Sequence, residues 1–493
     1  MAISFNDVPS AIRVPFVAVE IDASQASQGP ALLAYRALLI GQKTAAGSAA
    51  ADSLHKVTNV EQVIGLAGRG SILHRMAVAW FASNTFTEVW LGVLDDDAAG
   101  TAAAGTITAT GPATADGTIA LYVGGQRVTV GVISGDSADD IATAIAAALP
   151  STSDLTVTGA VDGVTTEEVD VTFRHKGLVG NSFDVRHSYR DGEDLPAGVG
   201  LTIVQTTGGA TNPTLTDLIA AMGDSWFQII AHPYTDATSL TAIEGELSSR
   251  FGPMRMIDGL AITSAAGSHS TLTTLGDGRN SPHSVIVAQA GASPLTPPME
   301  FAAEVAAIVA RFGAADPARP FQTLAMRNAL PPAESDLFTL EERNLQLFDG
   351  IATSRVGAGD VVQLDRIITT YQENAAGADD IAYLDATTLL TLLYLRYSFR
   401  VRMQSRYPRH KLANDGTRFG SGQAVITPLL GKAEAVGWFR EMETLGLVEG
   451  ADQFKSDLVV ERDVSNPNRL NFLLPPDLIN QLIVTAAQIQ FRL

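Results

Sequence analysis

ALLAYRALLIG, Ala31 to Gly41, decides the fold class. A near-continuous apolar run of this length, closed by glycine, reads as a strand buried on both faces. The next sixty residues keep a matching rhythm. Val60–Gly65 with Leu73–Phe81 reads as a turn and then a helix, and VWLGVL, Val89–Leu94, as the next buried strand. Strand, helix, strand is the pattern of an α/β layer.

Moving toward the C-terminus, the composition changes after Asp95, Asp96 and Asp97. From Ala98 to Thr214 the chain is rich in Ala, Gly and Thr, with short alternating runs at Thr118–Val123, Gln126–Val132, Asp154–Val161 and Val169–Arg174 and a helix at Ala138–Leu149. This is an inserted, mainly β segment. The α/β rhythm resumes with the strand WFQIIA (Trp226–Ala231), a helix at Ser239–Phe251, the strand SVIVA (Ser284–Ala288) and a helix at Pro298–Phe312, so the core is split around the insertion. Pro317–Phe338 is punctuated by proline and reads as a surface wrap. A third unit is expected from 356 onward. It holds a strand at Val361–Thr370, a helix at Thr387–Tyr407 stopped by Pro408, a helix capped by Thr427 with Pro428 at its first position, and a strand at Leu458–Asp463.

The expected fold is therefore an α/β and α+β multidomain chain. Residues 31–97 and 215–355 form the split α/β core, 98–214 the inserted mainly β domain, and 356–480 a C-terminal α+β domain. Residues 1–30 and 481–493 are extended β-arms.

Both arms read as connectors. Leu482, Val484 and Ala486 alternate, then Ile489, Phe491 and Leu493 alternate in the other phase, which predicts a bulge or a change of partner between them. At the other end Ile12, Val14 and Phe16 alternate, while Pro9 and Pro15 exclude helix. An unpaired terminal strand leaves backbone donors and an apolar face in water. Either each arm folds back on its own sheet, or it crosses to a neighbour, since about fifteen extended residues reach roughly 50 Å.

The 493 residues carry 33 Lys+Arg against 53 Asp+Glu and no cysteine. Disulfides and thiolate chemistry are excluded, and a net charge of −20 opposes general nucleic-acid binding. No apolar stretch is long enough to span a bilayer; Leu389–Tyr397 is short and interrupted by Arg396. The start lacks the pattern of a secretory signal, which places folding in a cytoplasm.

Catalytic signatures are sought without success. The eight histidines show no metal-ligand spacing, Gly65, Gly68 and Gly70 read as a turn, and Ser264, Ser268 and Ser270 lie near His269 and after Asp258 without a nucleophile elbow. No cofactor, metal or enzymatic activity is expected. One cluster stands out in this acidic chain: Arg396, Arg400, Arg402, Arg406, Arg409 and Lys411, with Arg418 beyond. Arg402, Arg406 and Arg409 share one stripe of a helix and its exit. They either complement that helix end or form a reversible docking patch for an acidic partner.

Several segments together resemble the tail sheath proteins of Mu-like contractile-tailed phages. They are SFNDVPSAIRVPFVAVEID (Ser4–Asp22) with RALLIGQ after it, AYLDATTLLTLLYLRY (Ala382–Tyr397), KLANDGT, VITP, and the closing LVEGADQFKSDLVVERDVSNPNRLNFLLPPDLINQLIVTAAQIQFRL (Leu447–Leu493). The resemblance implies a structural subunit of stacked six-fold rings around a tail tube, with baseplate and tail terminator proteins at the ends and no nucleic-acid or membrane partner. It also implies an innermost C-terminal domain, arms that exchange strands between subunits, and contraction for genome delivery. The particle would assemble in the host cytoplasm and end in the virion tail. A sheath of a phage-derived bacteriocin or secretion device is the alternative use, and an α/β hydrolase is the rival from another class.

Overall fold

The computed structural model describes residues 33–151 and 154–492, which divide into two compact units. One runs from Ala34 to Tyr394 and takes in the chain from Leu478 onward; the other runs from Leu395 to Asp477.

The first unit opens with β1 (Arg36–Gln42), β2 (Ser53–Val57), α1 (Val60–Ala67), α2 (Ile72–Ser83) and β3 (Glu88–Leu94). The segment expected as a turn is α1, a helix capped by the Asn59 side chain, which accepts from the Gln62 amide. Gly68 ends it at φ 85°, a left-handed value that favours glycine. After the insertion come α4 (Thr216–Met222), β11 (Ile229–Ala231), α5 (Ala237–Phe251), β12 (Leu260–Gly267), α6 (His269–Asp277), β13 (Ser284–Ala290) and α7 (Pro298–Ala315).

Six of these strands make one sheet, in the order β13-β12-β11-β1-β3-β2. All neighbours are parallel except β2, which runs antiparallel to β3. β1 sits centrally, with Ala37 opposite both Val89 and Ile229. Helices cover both faces: a Cβ on Gly41 would meet Ile72 and Leu73 of α2, whereas one on Gly92, opposite Ile40, would meet Leu218 of α4. Double coverage explains why β1 reads as an unbroken apolar run.

α7 is buried nearly all round, including two glutamates. Arg75 of α2 donates to Glu300 through two bonds of 2.8 and 2.9 Å. Glu304 accepts from the Ser83 hydroxyl at 2.6 Å and from the Asn328 amide at 3.0 Å. The proline-punctuated stretch is thereby fastened to α7.

The insertion contains β4 (Ala102–Thr110), β5 (Gly117–Val123), β6 (Gln126–Val132), α3 (Ala138–Ser151), β7 (Val157–Val161), β8 (Glu168–Lys176), β9 (Val185–His187) and β10 (Gly200–Thr207). Two antiparallel sheets result, β10-β4-β8-β7 and β6-β5-β9. Gly124 and Gly125, both at positive φ, supply the two-residue turn that a tight hairpin between β5 and β6 requires. A bridge between Thr101 and Ala210 closes the neck. Asp96, read from sequence only as part of a polar boundary, ties that neck to the core: it accepts from Gln42 Nε2 at 2.8 Å and from the Lys176 amide at 3.1 Å, and lies 3.0 Å from His175 Nδ1.

The unit beginning at 356 is not what the structure shows. After α8 (Leu340–Phe348), the hairpin of β14 (Thr353–Val356) and β15 (Val362–Arg366) belongs to the first unit. Ala352 exchanges backbone bonds with Ile286 and Ala288, both 2.9 Å, and Ile351 is buried in the same apolar cluster. The division falls at Leu395, within α9 (Ala386–Arg406).

The second unit continues with β16 (Lys411–Leu412), β17 (Val425–Ile426), α10 (Pro428–Thr444), β18 (Val448–Glu449), α11 (Ala451–Asp457), β19 (Val459–Arg462) and β20 (Leu470–Leu473). Thr427 caps α10 by accepting from the Leu430 amide, with Pro428 at the first position as expected. Its core is aromatic. Trp438 lies edge-on to Phe399 at 5.2 Å, Phe439 stacks on Phe454 at 4.1 Å, and the Trp438 indole donates to Ser398 Oγ at 2.9 Å.

Candidate assembly surfaces

β19 and β20 form an antiparallel ribbon, Val459 opposite Leu473 and Arg462 opposite Leu470. Asp463 sets its turn, accepting from the Ser465 and Asn466 amides at 2.9 and 2.8 Å and from Ser465 Oγ at 2.7 Å. The Ser465 and Asn471 side chains, then the two amides, hold its carboxyl well below the ordinary aspartate range. One face of the ribbon lies against α10 at Gly431, where an added Cβ would meet Leu470, Phe472 and Val460 at 3.1–3.2 Å. Phe472 also meets Phe399 edge-on at 5.3 Å. Among the described residues the ribbon holds two strands, with no third strand on either edge, and Leu473 is 63% exposed. Open edges of this kind are templates for a further strand.

Among the described residues no strand is formed between Gln481 and Arg492. Of the two expected outcomes, pairing with its own sheet or with a neighbour, the first is not seen in the described part of the chain. Gln322 Nε2 donates to the Leu482 carbonyl at 3.2 Å and the Gln481 and Thr387 side chains bond, so the root is held. Beyond the root the apolar side chains face water. Leu482 is 71% and Ile489 90% exposed, and Val484 and Phe491 are similarly bare. The N-terminal positions Ile12, Val14 and Phe16 lie outside the described residues.

The basic cluster divides when its side chains are placed. Arg402 donates to Glu434 and, at 2.6 Å, to Glu441; Arg406 donates to Glu434 at 2.8 Å and the Tyr407 hydroxyl does so at 2.9 Å. Burial, followed by the Glu434 carboxylate, pushes the Tyr407 phenol up to about 12. Two members of the predicted stripe thus join α9 to α10 through Glu434. Arg396 and Arg400 are half-buried and engaged in interactions of their own. Arg409 and Lys411 are exposed, with Lys411 Nζ donating to Gln423 at 2.8 Å.

The serines considered for catalysis have structural work. Ser264 donates to the Val287 carbonyl at 3.0 Å, and Ser268 caps α6 by accepting from the Thr271 amide. Among the described residues no group of three His, Asp or Glu is placed to hold a metal ion, and no helix is long and apolar enough to cross a membrane.

Comparison with known proteins bears on the same regions. Residues 208–370 match the model of the phage tail sheath protein central domain, and residues 378–492 that of the phage tail sheath C-terminal domain. The chain is 40% identical over 493 residues, the full length of both, to the Mu-like prophage FluMu tail sheath protein of Haemophilus influenzae. Among solved structures it is similar to a sheath tail protein of Desulfitobacterium hafniense (TM-score 0.47, 14% identity, 94% of this chain and 100% of that one). It is also similar to the helical sheath of the anti-feeding prophage in its contracted state (TM-score 0.47, 11% identity, 98% and 99%).

Proposed function

The chain belongs to the phage tail sheath family, and on that premise we propose how it works as a subunit of a contractile tail sheath. The C-terminal arm of one copy completes the β19–β20 ribbon of another, with Leu482 and Val484 entering as an added strand. The N-terminal arm, through Ile12, Val14 and Phe16, supplies a second strand in the same way. An acidic chain that would otherwise stay dispersed is thereby knitted into stacked six-membered rings around a tail tube, between a baseplate and a terminator protein. Assembly takes place in the host cytoplasm and the product is the virion tail.

The work is mechanical. Copies joined by flexible strands can rotate and slide between an extended and a contracted packing without unpairing, and the driving free energy is the difference in interface between the two. No chemical step is required. Contact with the tube has to be weak enough to release, which suits exposed cations at the exit of α9, Arg409 and Lys411, flanked by Arg396 and Arg400; each exposed pair contributes ~1 kcal/mol or less. Arg402 and Arg406 position that exit through Glu434.

The observation that carries this reading is the coincidence of an exposed apolar arm with an open ribbon in one chain. Hydrogen exchange on polymerised protein tests it. Backbone amides of residues 482–486 and 459–473 gain protection in the polymer; arm amides that exchange as fast in polymer as in monomer would refute strand exchange.

A further inference from the structure

Away from the arm and the ribbon, the first unit carries an apolar groove with an acidic rim. Leu347 and Phe348 at the end of α8, with Ile381 and Leu384 from the segment before α9, wall about 350 Å3 of space. Phe348 is 73% and Ile381 78% exposed. Leu340 and Leu345 of α8 are exposed as well. A contiguous exposed patch rimmed by polar groups marks an interaction site.

The rim defines what can enter. Glu373 and Asp379 face each other across a β-bridge and are exposed, and Asp380 accepts from the Tyr371 hydroxyl at 2.6 Å and from the Ala382 amide at 2.9 Å. Those bonds hold the Asp380 carboxyl below the ordinary aspartate range, so it stays ionised. Arg366 also reaches the groove, but Asp385 binds its guanidinium through two 3.0 Å bonds. An apolar plug carried beside a free cation fits such a site.

The chain contains that plug. Residues 395–477 hold twelve Lys and Arg against ten Asp and Glu, in a protein of net charge −20. This part of one copy can therefore approach the acidic part of another without net repulsion. Between β16 and β17 the segment Asn414–Ala424 is exposed throughout, turns on Gly416 and Gly422 at φ 78° and 77°, and presents Arg418 beside Phe419. Two other cation–aromatic neighbours are occupied elsewhere. Arg311 lies over Phe86 and Phe312 at 5.2 and 5.3 Å, and Phe491–Arg492 belongs to the arm already assigned to strand pairing.

Resting on the sheath reading, we propose that the groove formed by Phe348 and Ile381 seats the Arg418–Phe419 finger of a second copy, Phe419 between the apolar walls and Arg418 against Asp379 and Asp380. Groove and finger are different patches, so the contact is heterologous, and it repeats head to tail into rings or helices.

The absence of native cysteine makes the test clean. Full-length chain carrying Phe419→Cys and Ile381→Cys is assembled, oxidised mildly and run on a denaturing gel, with the same sample viewed by negative-stain microscopy. A ladder of covalent oligomers is expected, and mixing the two single variants gives covalent dimer. Regular polymers without a ladder overturn the proposal while leaving the sheath reading intact. A monomer cross-linked within itself also overturns it, as does cross-linking of Ile381→Cys to Phe491→Cys in place of Phe419→Cys. Absence of any polymer from the unsubstituted chain sinks the sheath reading and this contact with it. A second measurement is independent of the cysteines: Asp379→Lys raises the critical concentration for assembly by about tenfold, and adding Arg418→Glu in the same chain restores it. No restoration means no pairing.

Discussion

The six-stranded sheet and the β19–β20 ribbon are built from similar residues and end in opposite conditions. In the sheet, β1 has a strand on each side and helices over both faces, and Leu38, Leu39 and Ile40 are buried. Among the described residues the ribbon has one covered face and no third strand on either edge, and the arm beyond it leaves apolar residues such as Leu482 and Ile489 exposed. The first region is complete within one chain. On the strand-exchange proposal the second is completed by another copy, so the difference separates what folds the subunit from what would join subunits.

Deleting residues 481–493 should give the largest effect, because it removes assembly and leaves folding alone. The truncated protein is expected to sediment as a monomer and to melt within about 2 °C of the full chain, since an exposed segment contributes little to stability. Regular tubes from the truncated chain would break the distinction. Next in size is Arg402→Ala. It removes one of the three donors to buried Glu434 and leaves Arg406 and Tyr407 in place, and loss of a hydrogen bond to a charged group costs about 1.5–3 kcal/mol. Arg409→Ala, a few residues on, should stay within about 0.5 kcal/mol of wild type in denaturant unfolding while weakening binding to tail tubes. Equal destabilisation by the two would mean that the cluster acts as one unit.

The same division governs what the sequence could reveal. Ala31–Ile40, Val89–Leu94 and the Thr427–Pro428 helix start were legible because local pattern and final environment agree. The alternation at Leu482 and Val484 was legible too, yet it pairs with none of the described residues of its own chain, which is why the proposed partner is another copy. The Arg402–Glu434 and Arg406–Glu434 pairs were not legible. A run of cations on one helix says nothing about a glutamate about thirty positions later on another, so the run read as surface charge. β12 and α6 were missed for a related reason: Ser264 and Ser268 drew attention as nucleophiles, while their bonds to the Val287 carbonyl and the Thr271 amide make them a strand contact and a helix cap. The 356 boundary failed because β15 pairs with β14 and the Thr370 amide bonds the Ser284 carbonyl at the start of β13, a contact more than eighty residues back in sequence that no local signal marks.

A smaller effect tests the second unit as a folded body in its own right. Thr427→Ala removes the acceptor for the Leu430 amide and should cost about 1 kcal/mol. Lower stability with the polymer's appearance unchanged is the expected pattern, measured by denaturant titration of monomer and by microscopy.

The smallest expected effect is a change in pH slope, and it isolates the core. Burial raises the Glu304 carboxyl above the ordinary glutamate value of 4.5, against the pull of the Ser83 hydroxyl and of the Asn328 and Arg327 amides. A folded-state value above the unfolded one means that the folded chain holds this proton more tightly. That contribution is complete below the unfolded value and is lost as pH rises through the folded one. Across the window that opens near 4.5 and runs upward, wild type should therefore lose stability relative to Glu304→Gln, whose amide carries no charge to bury. Carboxyls that are lowered, Asp96 and Asp236 among them, act in the opposite direction, but they cancel in the difference between the two proteins. Unfolding free energies of both, measured at matched pH values, decide the point: parallel curves would show that Glu304 is as easily ionised in the folded core as in the open chain, and that the strap it holds through Arg327 and Asn328 draws nothing from its burial.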